Sequence, residues 1–279
     1  MNNIIDQIKA RRSVRTFDNR ALTAEHREQL SAFIETIDNP WHIPVAFKFL
    51  DAKEYGLTCP VVIGTDLYVG GKVKNAPNAS VAFGYSFEML VLKAQSMGIG
   101  TVWLGGTMNR SAFEQAMDLA EDEIMPCASP LGYPAVKMSL RESMMRKGVK
   151  ADERLLFEEL FFNGSFGVPL TKEKAGFFAA PLEMVRLAPS AVNKQPWRAV
   201  ISDNAVHFYL KRSKGFSQEG KLDMQMIDIG IALCHFALTS AECSIPVQFV
   251  QDNFDLTTPS DMEYIATYRI SCFPKGHCL

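Results

Sequence analysis

Two stretches of the chain carry the same apolar stripe, and that repeat constrains the fold more than any other feature. Phe83, Phe87, Leu90, Ala94 and Met97 fall at spacings of four, three, four and three, and Ile229, Leu233, Phe236, Ser240 and Cys243 repeat them 146 residues later. The same offset pairs Gly84 with Gly230. Apolar neighbours on the other faces predict helices buried on most sides, over about 80–97 and 222–243. A heptad-like pattern can generate one stripe by itself. Here each helix is also followed by an apolar stretch and a further strand-like run, around 127–133 and 264–272. The shared order predicts a degenerate internal duplication. The 279 residues suffice for one large domain or two modest ones. The expected halves are 1–140 and 150–279, joined by a charged stretch over 137–154.

The remaining periodicities fill in the halves. Residues 3–10 predict a short helix running into Arg11. Thr23 caps a second helix with Leu30, Phe33, Ile34 and Ile37 on one face, ended by Asp38-Asn39-Pro40. Val45, Phe47 and Phe49 alternate as a strand does, and residues 60–64 read as another short strand. The first long helix stops at Gly98-Ile99-Gly100. Asn109 can cap a helix that turns Phe113, Ala116 and Met117 inward. Residues 155–162 read as an amphipathic helix, and 181–187 as a short helix that accepts Pro181 in its first turn. Ser202-Asp203-Asn204 joins two strand-like runs, 197–201 and 206–210, as a hairpin.

Several function classes lack an anchor. A net charge of −2 leaves no footprint for nucleic acid or an acidic membrane surface. No apolar run reaches the roughly 20 residues that span a bilayer, and the N-terminus does not read as a signal peptide. Six scattered cysteines without a C-x-x-C pair predict reduced thiols and a cytoplasmic protein. Cys272, His277 and Cys278 allow a metal cluster, with a frayed C-terminus as the plainer reading, so no metal is expected. There is no G-x-G-x-x-G, Walker loop or nucleophile elbow; Gly164-Ser165 lacks the elbow's flanks. His235 reads as a satisfied core residue, His207 as an outward-facing strand residue, and Glu158-Glu159 as a polar helix face.

Three segments carry chemistry. Arg11-Arg12-Ser13-Val14-Arg15 puts three guanidinium forks and a hydroxyl at a helix end, which suits a phosphate but equally describes a solvated basic turn. Pro189-Ser190-Ala191-Val192-Asn193-Lys194-Gln195-Pro196-Trp197 sets short-range donors and acceptors between two prolines, as a recognition loop or as a capped helix end before an edge strand. Thr101-Val102-Trp103-Leu104-Gly105-Gly106 can lie flat against a planar ligand and donate backbone N–H groups, or can be a core strand with a glycine turn.

Together these segments resemble the nitroreductase family of FMN proteins. Arg11–Phe17 is similar to its R-R-S-x-R-x-F motif, Pro189–Trp197 to its P-S-x-x-N-x-Q-P-W loop, Phe83–Gly106 to its central helix and flavin-bordering segment, and Gly132-Tyr133-Pro134 to its G-Y-P. The order departs from the common pattern, in which the loop closely follows the arginines and two subunits share each site. Here the loop arrives in the second half, which lacks its own arginine motif and L-G-G. The chain thus resembles a single-chain, internally duplicated branch, including its Glu-Glu-Leu-Phe-Phe segment at 158–162.

The resemblance implies an α+β nitroreductase-like fold, with central, mostly antiparallel sheets flanked by helices and two pseudo-symmetric halves. It implies one FMN between them in a monomer that serves as its own pseudo-dimer. Arg11, Arg12, Ser13 and Arg15 would meet the phosphate and ribityl chain. Trp103, Leu104, Gly105 and Gly106 would border the isoalloxazine, with a backbone N–H near N5. Pro189, Ser190, Ala191, Asn193 and Gln195 would close the site, and Arg154 resembles a later phosphate-binding arginine, although Leu155 departs from the expected basic neighbour. Many relatives carry an acidic residue at the place of Gly105. The implied activity is ping-pong hydride transfer from NADH or NADPH to a small acceptor such as a nitroaromatic or quinone, with no protein acid or base as catalyst. Alternatives are dehalogenation, flavin breakdown or thiazoline dehydrogenation, and FMN binding without turnover.

Overall fold

The computed structural model describes residues 3–213, 222–251 and 257–271. Cys272, His277 and Cys278, which raised the metal reading, lie outside the described residues. The described residues fall into two compact units: residues 10–152, and residues 3–9 together with those from 153 onward.

In chain order the first unit's region contains α1 (Ile4–Ala10, which groups mostly with the second unit), α2 (Ala24–Ile34), β1 (Val45–Asp51), α3 (Ala52–Tyr55), β2 (Leu67–Lys74), α4 (Ala79–Ser96), α5 (Arg110–Ala116), β3 (Glu123–Ile124), β4 (Ala128–Pro130) and α6 (Leu140–Gly148). The second adds α7 (Phe157–Leu160), β5 (Phe161–Asn163), α8 (Ala179–Arg186), β6 (Trp197–Ser202), β7 (Ala205–Lys211), α9 (Met224–Glu242), β8 (Val247–Val250) and β9 (Met262–Ile270). α1 joins the second unit because Ile4 and Ile8 are buried and the Ile4 N–H donates to the Glu242 side chain on α9.

In the first unit β1 pairs antiparallel with β2, from Val45↔Val73 to Asp51↔Leu67, and β2 pairs antiparallel with β4 through Tyr68↔Pro130. Beyond β4 lies the 100–104 segment, bridged antiparallel at Gly100↔Gly132 and Leu104↔Ala128. α4 buries 13 of its 18 residues. Phe83 and Phe87 stack on each other with centroids 5.4 Å apart. A Cβ at Gly71 of β2 would meet the Phe83 ring at 2.8 Å, so glycine is what lets this helix approach the sheet so closely.

The second unit orders its strands β5-β6-β7-β9-β8, all antiparallel except β5 with β6. α9 buries 13 of 19 residues. Phe236 packs 5.1 Å from both Phe208 of β7 and Tyr268 of β9. Among the described residues α9 is the one helix long and apolar enough to cross a membrane, and 72% of its apolar window is buried within the protein. Setting β5 aside, the order β6-β7-β9-β8 repeats β1-β2-β4-(100–104), with the long helix at the same place in the sequence of elements.

The two long helices also end alike. Gly98 and Ser244 take positive φ, 72° and 57°, just beyond the C-caps Met97 and Cys243. The next residue closes the six-to-one bond of a Schellman turn in each case: Ile99 N–H to Ala94 O at 3.0 Å, and Ile245 N–H to Ser240 O at 2.9 Å. All these pairs keep the 146-residue offset.

Four local expectations need correction. Residues 60–64 form no strand; Ile63 makes only an isolated bridge to Thr16. Asn109 stands at the cap position of α5 without capping it, its Oδ1 instead accepting from the Ser111 hydroxyl. The segment 155–162 is not one helix: α7 ends at Leu160, and Phe161 enters a parallel pairing with Ala199. His207 is fully buried rather than outward-facing, with Nδ1 2.8 Å from Thr267 Oγ1, and burial pushes its pKa down to about 4. His235 is a core residue with Nδ1 2.9 Å from Met184 O, and Glu158 and Glu159 are exposed. Cys59, Cys127, Cys234 and Cys243 are free thiols.

Candidate functional site

In the first unit, backbone pairing brings the arginine motif to the glycine segment. Ser13 bridges Thr101 in parallel, and the Val14 N–H donates to Thr101 O at 2.9 Å. Glu88 of α4 then ties the two together: completely buried, it accepts from Trp103 Nε1 at 3.0 Å and lies 3.9 Å from Arg11 Nε. The Trp103 ring leans on Phe87, with centroids 4.8 Å apart.

The arginines are not equivalent. Arg12 Nη1 donates to Glu142 Oε1 at 3.0 Å, while the Arg15 N–H and the Thr16 hydroxyl donate to Glu142 Oε2 at 3.1 and 2.8 Å. Glu142 is itself buried in the first turn of α6, its N–H capped by Ser139 Oγ at 3.2 Å. Arg12 is thereby neutralised within the protein. Arg11 is buried, and burial lowers its pKa against the pull of Glu88. For Arg15, too, burial is the largest lowering cause, with Glu142 opposing it and Arg146 adding to it. The Nε atoms of Arg11 and Arg15 are buried without a hydrogen-bond partner among the described residues. Desolvated guanidinium groups with spare donors suit an anion, which charge-assisted hydrogen bonds would hold.

The turn after Leu104 has room for a ligand. Leu104 exchanges both main-chain bonds with Ala128, at 2.9 and 3.1 Å, so its N–H is committed. Gly105 and Gly106 have ordinary φ, and a Cβ at either would meet no protein atom within 4 Å. Their N–H groups take no protein partner among the described residues. Neither strain nor protein packing calls for glycine here, and the turn presents open backbone.

In the second unit the Pro189–Trp197 loop is held from several sides. Ser190 Oγ accepts from the Gln195 N–H at 2.9 Å, and Gln195 Oε1 accepts from the Leu155 N–H at 2.9 Å. Asn193 Nδ2 donates to Glu153 O at 3.0 Å, and Arg154 reaches Asn193 Oδ1 and Leu187 O at 3.4 Å each. Arg154 thus belongs with this loop. Val192, Asn193 and Gln195 all adopt positive φ, 44°, 57° and 50°. For a β-branched residue such as Val192 that is a strained conformation, of the kind that clusters at ligand clamps. The Ala191 N–H donates to Asp228 Oδ1 at 2.9 Å. Asp228 is buried in α9 with Oδ2 unpartnered among the described residues, and burial, followed by the charge of Asp223, raises its pKa well above the ordinary value.

Glu88, Glu142, Asp228, Arg146 and Arg110 escape the motif reading. Glu88 and Asp228 had a signal, since each is a carboxylate set among apolar residues in the interior of a long helix. Ser139-x-x-Glu142 marks a helix start, but the partners of the Glu142 carboxylate lie more than 120 residues away.

A family model described as "Putative TM nitroreductase" matches residues 3–240. The crystal structure of a "putative nitroreductase" from Thermotoga maritima superposes with a TM-score of 0.63 at 20% identity, covering 96% of this chain and 94% of that one, and so shows the nitroreductase fold. An FMN-dependent nitroreductase from Clostridium difficile R20291 aligns at 14% identity with a TM-score of 0.41, over 51% of this chain and 95% of its own. Nitroreductase A from Vibrio parahaemolyticus aligns at 21% identity with a TM-score of 0.39, over 50% and 73%. No curated protein matches the chain. The family match covers far more than half of the sequence, and the chain belongs to this nitroreductase family.

Proposed function

We propose that the protein is an FMN-dependent NAD(P)H oxidoreductase of the nitroreductase type, acting by ping-pong transfer on nitroaromatic or quinone-like acceptors. We also propose that residues 1–140 and 150–279 are diverged copies of one nitroreductase half, so that a single chain suffices for one flavin. The observation that carries the reading is the Gly105-Gly106 turn, open and with free N–H groups, on the same unit as the buried guanidinium groups of Arg11 and Arg15.

FMN, when bound, would supply the two-electron chemistry. The chain's own residues bind and polarise. Arg11, Ser13 and Arg15 fit a phosphate and ribityl chain; Arg12 serves chiefly to hold Glu142. Trp103 gives an apolar wall fixed by Glu88, and the N–H groups at 105 and 106 favour an acceptor that gains negative charge. Ser190, Asn193 and Gln195 are committed to shaping their own loop, which leaves backbone groups and spare side-chain lone pairs for recognition.

Titration of the protein with FMN tests this. The wild type should bind FMN, and Gly106→Val should bind it at least about tenfold more weakly, with thermal stability unchanged because the added atoms meet open space. Equal affinity of the two proteins would place the ligand elsewhere.

A further inference from the structure

Arg110 opens α5, and its guanidinium gathers three main-chain carbonyls. Nη2 donates to Gly105 O at 2.6 Å and to Pro126 O at 3.2 Å; Nη1 donates to Met125 O at 2.7 Å and to Glu114 Oε1 at 3.2 Å. Only a rigid, multi-donor fork can span such a set, and a lysine ammonium cannot. The first effect is mechanical: the fork ties the glycine turn to residues 125–126, two positions before the Ala128 that pairs with Leu104.

The second effect is electronic. The carbonyl of Gly105 and the N–H of Gly106 belong to one peptide group. A charge-assisted bond to that carbonyl draws electron density toward oxygen and leaves the N–H a stronger donor, by about 10–30% per bond in a hydrogen-bonded chain. The N–H so strengthened is one that no protein acceptor takes among the described residues. A fixed, strengthened donor discriminates between two forms of a ligand that differ in negative charge.

We propose that Arg110 is a positioning residue which, through the Gly105 carbonyl, holds and strengthens the Gly106 N–H and so makes the site prefer reduced FMN over oxidised FMN. This rests on the cofactor reading above. A plain staple would weaken both forms equally; the polarised peptide weakens the reduced form more.

The test uses Arg110→Gln and Arg110→Lys. In each, the affinity for oxidised FMN and the midpoint potential of the bound flavin are measured. Arg110→Gln should lower the ratio of reduced to oxidised affinity about tenfold, about 30 mV for a two-electron couple, with oxidised affinity changing less than about threefold. Arg110→Lys should recover less than half of that loss, because a point charge cannot bridge the carbonyls. An unchanged potential in both variants overturns the proposal. Hydrogen exchange of residues 104–108 in ligand-free protein reads the mechanical part without any flavin: Arg110→Gln should speed it about tenfold, and unchanged exchange overturns that part. Wild-type protein that takes up no FMN overturns the cofactor reading and the FMN preference with it, while the exchange result still decides the staple.

Discussion

The two units build the same sheet order around a corresponding long helix, yet each long helix places its one buried carboxylate differently. Glu88 sits in α4 where α9 has Cys234, and Asp228 sits in α9 where α4 has Ala82. Glu88 meets an indole N–H and a guanidinium; Asp228 meets a backbone N–H and keeps one oxygen unpartnered among the described residues. One carboxylate links the arginine motif to the glycine segment, and the other anchors a strained loop. The same sheet order thus accommodates a different buried carboxylate on each long helix, while the positions of the packing stripe stay the same.

The largest effect should come from removing the linked carboxylate. Glu88→Leu leaves Arg11 buried without a counter-charge, which costs about 3–5 kcal/mol for a broken buried pair. Urea denaturation reads this directly, and a loss below about 1 kcal/mol would mean that Arg11 finds another partner.

Asp228 should behave in the opposite sense. Its folded pKa lies above its unfolded value, so the native state keeps a proton that the unfolded chain has lost. Wild-type stability therefore falls as pH rises from the ordinary carboxylate range toward the raised pKa, by at most about 1.4 kcal/mol per pH unit for one proton. Asp228→Asn should be flat over that window and gain on the wild type as pH rises. Parallel pH profiles would show that Asp228 is ionised throughout.

The smallest effect sharpens the comparison of the helix ends. Gly98 tolerates its left-handed conformation without cost, whereas Ser244 adopts the equivalent one with a side chain. Ser244→Gly should stabilise the protein by about 0.5–1 kcal/mol and Gly98→Ser should cost a similar amount. Reciprocal melting shifts would confirm that the two turns are equivalent, and shifts of the same sign would break that equivalence.

The sequence made much of this legible. The stripe placed α4 and α9 nearly to the residue, because burial on several sides imposes a periodicity that few other residues disturb. The arginine motif, the glycine turn and the Pro189–Trp197 loop were also visible, since each concentrates its chemistry in a few consecutive positions. What stayed hidden depends on distant pairing. Phe161 leaves a helical pattern because Ala199 offers it a strand. His207 looks exposed in an alternating run, but β7 is covered on both faces. The pairing of Arg12 with Glu142 spans 130 residues of sequence, and Arg110 looks like a surface helix residue until the fold brings three carbonyls to it.

The most direct test of the central claim is an absorbance spectrum of the purified protein reconstituted with FMN, before and after anaerobic addition of NADH or NADPH. One flavin per chain that bleaches on addition and recovers with a quinone or nitroaromatic is the predicted result. A chain that takes up no flavin, or holds one that neither nucleotide reduces, would contradict it.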